Sequence, residues 1–152
     1  MANPILIYCD GSYDNETEVG SWGCVIHVNG KIQTFTDTCG NAKGSIDCEL
    51  YAAVKSMGKV KAFGKRRKIL YTDCFEVYEC ANNHQFKNQV MERNKLTPFA
   101  KSLVAILRKI CKEQNVVVEK IKSADNPAHQ LAYEKLCELR EMEETEKPST
   151  SE

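Results

Sequence analysis

Three short apolar runs separated by helical patterns constrain the fold of this chain more than any other feature of its sequence. Residues 4–9 (PILIYC), 68–72 (KILYT) and 116–121 (VVVEKI) have the length and composition of buried strands. Helical periodicity lies between them, and a crossover through a helix returns the chain to a sheet in the same direction. We therefore predict that the three runs are parallel strands of one sheet with helices packed on it.

The Asn29-Gly30 dipeptide marks a β-hairpin. Apolar and polar residues alternate through residues 23–28 and 31–36 on its two sides, and Asn-Gly accepts the positive φ angles of a two-residue turn. Together with the first run, these segments form three consecutive antiparallel strands. The predicted fold class is therefore α/β, with a five-stranded mixed sheet. Its first three strands are antiparallel, and its first, fourth and fifth strands are parallel.

The helical segments have recognisable starts. Ser45 is a plausible N-cap of the first helix, and residues 75–81 form a short second one. Thr97-Pro98 begins a longer third helix, and Asn126-Pro127 begins the last. Periodicity predicts one apolar face on each of three helices. The face of the first helix consists of Glu49, Ala52, Ala53, Ser56, Met57 and Val60, and that of the third consists of Phe99, Leu103, Ile106, Leu107 and Ile110. The face of the last helix consists of Ala128, Leu131, Ala132, Leu136 and Leu139.

The domain organisation is predicted to be simple. The chain has 152 residues, which suits one core, and no repeat or linker divides it. We expect a domain over residues 1–140 and an acidic tail over 141–152 that is disordered beyond the last helix. The N-terminus lacks a secretion signal and no apolar run approaches a membrane span, which predicts a cytoplasmic protein without membrane contact. Nothing marks a dimer interface, so a monomer is expected.

Cysteine content and charge exclude two classes of protein. None of the eight cysteines forms a C-x-x-C pair, so we interpret them as small buried residues in a reducing compartment and not as a disulfide framework or zinc site. The formal net charge is zero. Because lysine and arginine contacts to phosphate supply most non-specific affinity, this chain can bind nucleic acid only through a local basic strip.

Three acids occupy positions where an acid is unexpected. Asp10 and Asp73 each follow a buried strand, at the sheet edge where open α/β folds collect ligands. Glu49 lies on the apolar face of the first helix, where a carboxylate is costly unless it is paired or binds a metal. Taken singly, Asp10 fits a turn, Asp73 fits a helix cap and Glu49 fits a surface position. Together, the three acids predict one site.

Four segments then resemble the signature segments of the ribonuclease H family, in the same order. They are YCDGSY, CELYAAV, LYTDC and NPAHQLA, and the similarity extends from about Ile5 to Leu139. The resemblance implies an endonuclease that cuts the RNA strand of an RNA–DNA hybrid with two divalent cations, Mg²⁺ or Mn²⁺. Asp10 would then bridge the two cations, and Glu49 and Asp73 would complete the site.

His129 stands where the family has a fourth carboxylate. It falls in the first turn of the last helix, where the helix dipole keeps the imidazole neutral and able to bind metal. Imidazole suits manganese better than magnesium. We predict His129 as the fourth catalytic and metal-binding residue. Asp125 supplying the missing carboxylate, or an ordinary histidine near the start of a helix, are the alternatives.

The resemblance also implies substrate contacts. The family's 2′-hydroxyl-reading asparagines are replaced by residues 45–47, where the Ser45 hydroxyl could act instead. Residues 65–68 form the densest basic run, for which a solvated strand entrance is the expected role. The predicted substrate-binding residues are Gly11, Ser12, Ser45, Lys87, Arg93 and Lys95.

Two other functions remain open at this point. A nucleic-acid-binding or protein-interaction module with a weakened site is favoured by His129, by the altered substrate-reading positions and by the zero net charge. Retention of three mutually repelling acids favours the nuclease. A proofreading exonuclease on the same fold needs Asp-x-Glu in the first strand, whereas Asp10 is followed by Gly11-Ser12.

Overall fold

The computed structural model describes residues 3–83 and 96–146, and within them the chain forms a five-stranded sheet with four helices. Two short 3-10 helices, Lys61–Phe63 and Ser123–Asp125, join these elements. In chain order the elements are β1 (Ile5–Asp14), β2 (Val19–Val28), β3 (Lys31–Thr38), α1 (Ser45–Lys59), β4 (Lys68–Thr72), α2 (Phe75–Asn82), α3 (Pro98–Glu113), β5 (Val116–Lys120) and α4 (Ala128–Glu146).

The sheet has the predicted topology. Its strand order is β3-β2-β1-β4-β5, in which β1, β2 and β3 pair antiparallel and β1, β4 and β5 pair parallel. The predicted hairpin is also confirmed, because Asn29 and Gly30 have φ angles of 53° and 74°. The carboxyl end of β4 lies beside the middle of β1, since Tyr8 is in register with Tyr71 and β1 continues to Asp14.

Helices cover the two faces of the sheet unequally. α1 packs on β1 and β2, with α2 and α3 beside it, while α4 packs on β1, β2 and β3. Because side chains alternate along a strand, Ile5, Ile7 and Cys9 of β1 enter the core below α1, whereas Asp10 points to the face that carries α4. Asp10 is therefore near α4 on its own face of the sheet and within reach of Glu49 from α1 on the other.

Several local predictions need correction. β1 continues through Asp14, so Asp10 lies inside a strand and not in a turn. Gly44 is the N-cap of α1 and makes no side-chain cap hydrogen bond, so the cap prediction for Ser45 is wrong. Thr97, in contrast, does cap α3 by accepting from the Ala100 amide. Ile106 is 44% exposed because it lies at the rim of the apolar stripe of α3.

The cysteines are all free thiols, six of them buried and two partly buried. Within residues 3–83 and 96–146, no helix is long and apolar enough to cross a membrane. Three of the predicted substrate-binding residues lie outside the described residues: Lys87, Arg93 and Lys95.

Candidate active site

Asp10 is the centre of the candidate site and is held in the middle of a strand. Its backbone pairs with Gly23 of β2, and the strand continues on both sides of it. Its side chain is only 4% exposed. An acid in such a position is fixed by the β1–β2 ladder and is largely withdrawn from water, so it interacts strongly with any charge beside it.

α4 brings His129 onto Asp10. The Nδ1 atom of His129 lies 2.7 Å from the Oδ2 atom of Asp10, and the imidazole is 56% exposed. Gly23 makes this approach possible, because a Cβ atom there would lie 2.9 Å from both the Ala128 carbonyl oxygen and the Ala132 amide nitrogen. The missing side chain of Gly23 thus lets the start of α4 rest directly on the sheet.

α1 brings Glu49 to the same acid. The Gly11 amide donates a hydrogen bond to Oε1 of Glu49, and the Glu49 carboxyl group lies close enough to Asp10 for the Asp10 charge to raise its pKa. A Cβ atom on Gly11 would overlap the backbone of Cys48 and Glu49. Only glycine allows β1 and the first turn of α1 to come this close.

Asp73 follows β4 and is tied to the site by Asn126. The Nδ2 atom of Asn126 donates to Oδ2 of Asp73 at 3.2 Å and to the Cys9 carbonyl at 2.9 Å. The Oδ1 atom of Asn126 accepts from the Ala128 amide at 3.1 Å. Asn126 is 5% exposed. One buried amide therefore joins β1, the residue after β4 and the start of α4.

Three of the four predicted side chains converge, and the fourth, Glu49, lies beside Asp10. Asp10, Asp73 and His129 each offer a ligand atom within 4.8 Å of the others, while Glu49 touches Asp10 from the α1 side. Burial raises the pKa of Asp10, and the nearby Asp73 charge adds to the rise, although hydrogen bonds from Glu49 and His129 oppose it. Burial and the Asp10 charge hold the pKa of Glu49 well above its usual range.

This donor set fits a divalent cation. Carboxylate oxygens are the ligands that hard cations such as Mg²⁺ and Mn²⁺ prefer, and one imidazole is compatible with Mn²⁺. Buried acids that repel one another are costly unless a positive charge compensates them. His129 alone compensates at most one of them. The residues present therefore suit a cation at Asp10, Glu49, Asp73 and His129.

The other predicted residues are placed as follows. Ser12 lies in β1, two residues beyond Asp10, and is half-buried. Ser45 is exposed at the first residue of α1, as a hydroxyl that contacts substrate would have to be. Asp125 is exposed and lies outside the group of Asp10, Asp73 and His129.

Asn126 and Gly23 position the residues of the site, and the sequence did not predict this role for either of them. Asn126 is recognisable in sequence as a helix cap, but its bonds to Asp73 and Cys9 depend on the tertiary packing of α4. Gly23 carries only a weak signal, a glycine inside a strand pattern, which often marks a close backbone approach. Its position opposite Asp10 follows from the register of β1 with β2.

Comparison with known proteins identifies a family model described as RNase H that matches residues 2–131. None of the curated proteins matches by sequence. An N-terminal RNase H domain from Mycobacterium tuberculosis is 16% identical with a TM-score of 0.71, covering 91% of this chain and 97% of its own. RNase H1 from the halophilic archaeon Halobacterium salinarum is 19% identical, with a TM-score of 0.69 and coverages of 90% and 99%.

A third similar structure is LC11-RNase H1 in complex with an RNA/DNA hybrid. It is 18% identical to this chain, with a TM-score of 0.70, and the match covers 90% of this chain and 99% of that one. At these identities the structural likeness establishes the fold alone. The strand order and the mixed parallel and antiparallel pairing described above agree with it.

Proposed function

The chain belongs to the RNase H family, and we propose that it hydrolyses the RNA strand of RNA–DNA hybrids with divalent cations. One observation carries the proposal: the ligand atoms of Asp10, Asp73 and His129 lie within 4.8 Å of one another, with Glu49 against Asp10. These residues come from four separate parts of the chain. A concentration of acids around the buried Asp10 has a physical reason when it holds cations.

Asp10, Glu49, Asp73 and His129 would hold the cations. Bound Mg²⁺ or Mn²⁺ supplies activation of water and stabilisation of charge on the leaving oxygen. Asp10 is the central ligand because it contacts both Glu49 and His129. Gly11 and Asn126 keep Glu49 and Asp73 in position through hydrogen bonds, so the acids retain their geometry before any substrate arrives.

Substrate binding is proposed at the same end of the sheet. Gly11 and Ser12 continue β1 beyond Asp10, and Ser45 exposes its hydroxyl at the start of α1. A hydroxyl there can recognise a ribose 2′-hydroxyl, which distinguishes RNA from DNA. Lys87, Arg93 and Lys95 remain a prediction for the grip on the DNA strand. We further propose a cytoplasmic monomer whose domain spans residues 1–140, followed by an acidic segment.

A second function is favoured by one contact. The His129 ring nitrogen occupies Oδ2 of Asp10 at 2.7 Å, and this oxygen is one that a bridging ligand would offer to a cation. If that pair stayed closed, the site would bind cations weakly, and the chain would act as a nucleic-acid-binding module without cleavage.

Cleavage of a hybrid with labelled RNA decides between the two functions. We expect cleavage with Mn²⁺ and slower cleavage with Mg²⁺. No cleavage is expected with a chelator, or of the same sequence as double-stranded DNA or double-stranded RNA. Asp10→Asn should lower the rate on the order of 100-fold or more. Asp37→Asn, which removes an exposed acid on β3, is the matched control and should cleave normally. Equal residual cleavage by the parent chain and Asp10→Asn would contradict the nuclease.

A further inference from the structure

Positive charge is concentrated at the end of the molecule opposite to the candidate site. This basic end consists of residues 29–33, 59–68 and 108–115. These segments contain ten of the 21 Lys and Arg residues of the chain, against one acid, Glu113. Asp10, Glu49 and Asp73 lie at the other end of the sheet, so a chain with zero net charge is strongly polarised.

Hydrogen bonds join the three segments into one surface. Arg66 donates from Nη1 to Oδ1 of Asn29 at 2.7 Å, which fixes the turn before β4 to the hairpin. Asn115 donates from Nδ2 to the Lys65 carbonyl at 3.3 Å. The Lys68 amide donates to the Asn115 carbonyl at 3.1 Å. The positive groups therefore lie on connected, ordered backbone.

The basic end is separated from the acids by the length of a strand. β4 has five residues, Lys68–Thr72, and Asp73 follows it. At ~3.3 Å per residue, the backbone of Lys68 lies roughly 17 Å from that of Asp73. The basic end and the acid cluster lie at opposite ends of β4, so a straight duplex seated on the acids would leave residues 61–67 free to bind a different segment.

The charges of the basic end are accessible. Lys31, Lys61, Lys65 and Arg67 are exposed, and no ion pair within the described residues involves them. The guanidinium carbon of Arg66 lies 5.9 Å from the centre of the Phe63 ring, which is 36% exposed. The surface thus combines cations with an aromatic face, as nucleic-acid-binding surfaces do.

A buried cation lies below these exposed ones. Lys68 is fully buried, which corrects the expectation that the whole run 65–68 is solvated. Its Nζ atom donates to the carbonyls of Gly64, Arg66 and Gln114. Burial lowers the pKa of Lys68, and the Arg66 charge lowers it further. Like charges held this close repel, and a bound polyanion would relieve that repulsion.

We propose that the basic end binds the phosphate backbone of a second nucleic-acid segment, distinct from the one at the acid cluster. Regularly spaced phosphates match several exposed cations at once, and each contact releases counterions. The exposed Phe63 ring adds a surface on which a base can stack. The choice of nucleic acid over another polyanion rests on the proposed function, whereas the location of the surface does not.

Stoichiometry of binding provides the test. The parent for all variants is the full chain carrying Asp10→Asn, which prevents cleavage, and the probe is a labelled RNA–DNA hybrid of about 12 base pairs, a length at which a duplex is a stiff rod. At low salt we expect two duplexes per chain by native mass spectrometry and titration calorimetry. Adding Lys61→Glu with Arg67→Glu should remove one of them. It should also lower the magnitude of the salt dependence, d log K/d log[salt], by about 2.

The controls separate this proposal from its alternatives. Lys55→Glu with Lys135→Glu makes the same charge change on α1 and α4, away from the basic end, and should leave two duplexes bound. In the chain with native Asp10, Lys61→Glu with Arg67→Glu should cleave the short hybrid at the parent rate.

One bound duplex in the parent, or two in Lys61→Glu with Arg67→Glu, would overturn the proposal. So would equal loss in the control pair, or equally tight binding of polyglutamate or of phosphatidylserine vesicles to the parent. Absence of cleavage by the native chain would refute the proposed function and leave this binding result intact.

Discussion

The charge of the candidate site depends on His129, which stands where the resemblance implies a fourth carboxylate. Its imidazole lies against a carboxylate that is 4% exposed, while the imidazole itself is 56% exposed. A carboxylate at this position would be the fourth acid of the cluster and the third beside Asp10. The histidine therefore reduces repulsion in the cation-free protein and weakens attraction for a hard cation.

Substitution of His129 tests this role directly. We expect His129→Asp to raise the Mg²⁺-supported rate relative to the Mn²⁺-supported one, because carboxylate oxygen suits Mg²⁺ better than imidazole nitrogen. The measurement is the ratio of hybrid cleavage rates in the two metals. Asp125→Ala, which changes an exposed acid outside the cluster, is the control and should leave the ratio unchanged. A ratio that changes in Asp125→Ala and not in His129→Asp would assign the fourth ligand to Asp125.

Asn126 has two separable roles. Its Oδ1 atom caps α4, and its Nδ2 atom donates a hydrogen bond to Asp73. Asn126→Ala loses both and should lower the free energy of unfolding by about 2–3 kcal/mol. Asn126→Ser can still cap the helix, but its side chain is too short to reach Asp73, which Nδ2 of Asn126 contacts at 3.2 Å. We therefore expect it to recover about 1 kcal/mol of stability without recovering the cleavage rate. Urea unfolding and hybrid cleavage measure the two effects, and recovery of both by serine would limit Asn126 to capping.

At the level of elements, the site depends on how closely two helices approach the sheet. α1 brings Glu49 to Asp10 by packing closely over Gly11. α4 brings His129 to Asp10 by packing closely over Gly23. These approaches come from opposite faces of the sheet. Any side chain at either glycine would push a helix outward and separate the ligands.

Gly23→Ala measures the importance of the α4 approach. The new methyl group would meet the Ala128 carbonyl and the Ala132 amide at 2.9 Å, so we expect a loss of about 1–3 kcal/mol and slower cleavage. Gly58→Ala is the matched control, because nothing lies within 4 Å of its Cβ position in α1. This control should gain about 0.5–1 kcal/mol. Denaturant unfolding checks both, and an unchanged Gly23→Ala would mean that α4 tolerates displacement.

The sequence predicts elements better than it predicts contacts between them. The strand positions of Asp10 and Asp73 follow from local apolar runs, and the Asn29-Gly30 hairpin follows from turn chemistry. The cap prediction for Ser45 fails because Asp47, inside the first turn, accepts from the Lys43 amide at 2.9 Å and orders the entry to α1. His129 contacts Asp10, and Asn126 contacts Asp73 and Cys9. These partners are more than 50 positions away in sequence, and no local pattern predicts such contacts.

For the whole molecule, stability and cation binding should be linked. Cations that bind the folded acid cluster and not the unfolded chain stabilise the fold by about 2.7 kcal/mol at 100 times the dissociation constant. For a chain of this size this corresponds to about 5–10 °C in Tm. We expect Mn²⁺ to raise Tm by this amount, and a chelator to reverse the rise. Asp10→Asn should show little shift, and an equal shift in both chains would place the cation elsewhere.

The position of His129 in α4, the last element of the fold, has a consequence for the order in which the protein becomes competent. Asp10, Glu49 and Asp73 leave the ribosome long before α4, and the helix can rest on Gly23 only after residues 128–132 have emerged. Until then the acid cluster lacks both its imidazole and the amide of Asn126. A nascent chain thus carries an incomplete site while its own messenger RNA is still close by, and it acquires the complete one only once residues 126–132 have emerged and packed on the sheet.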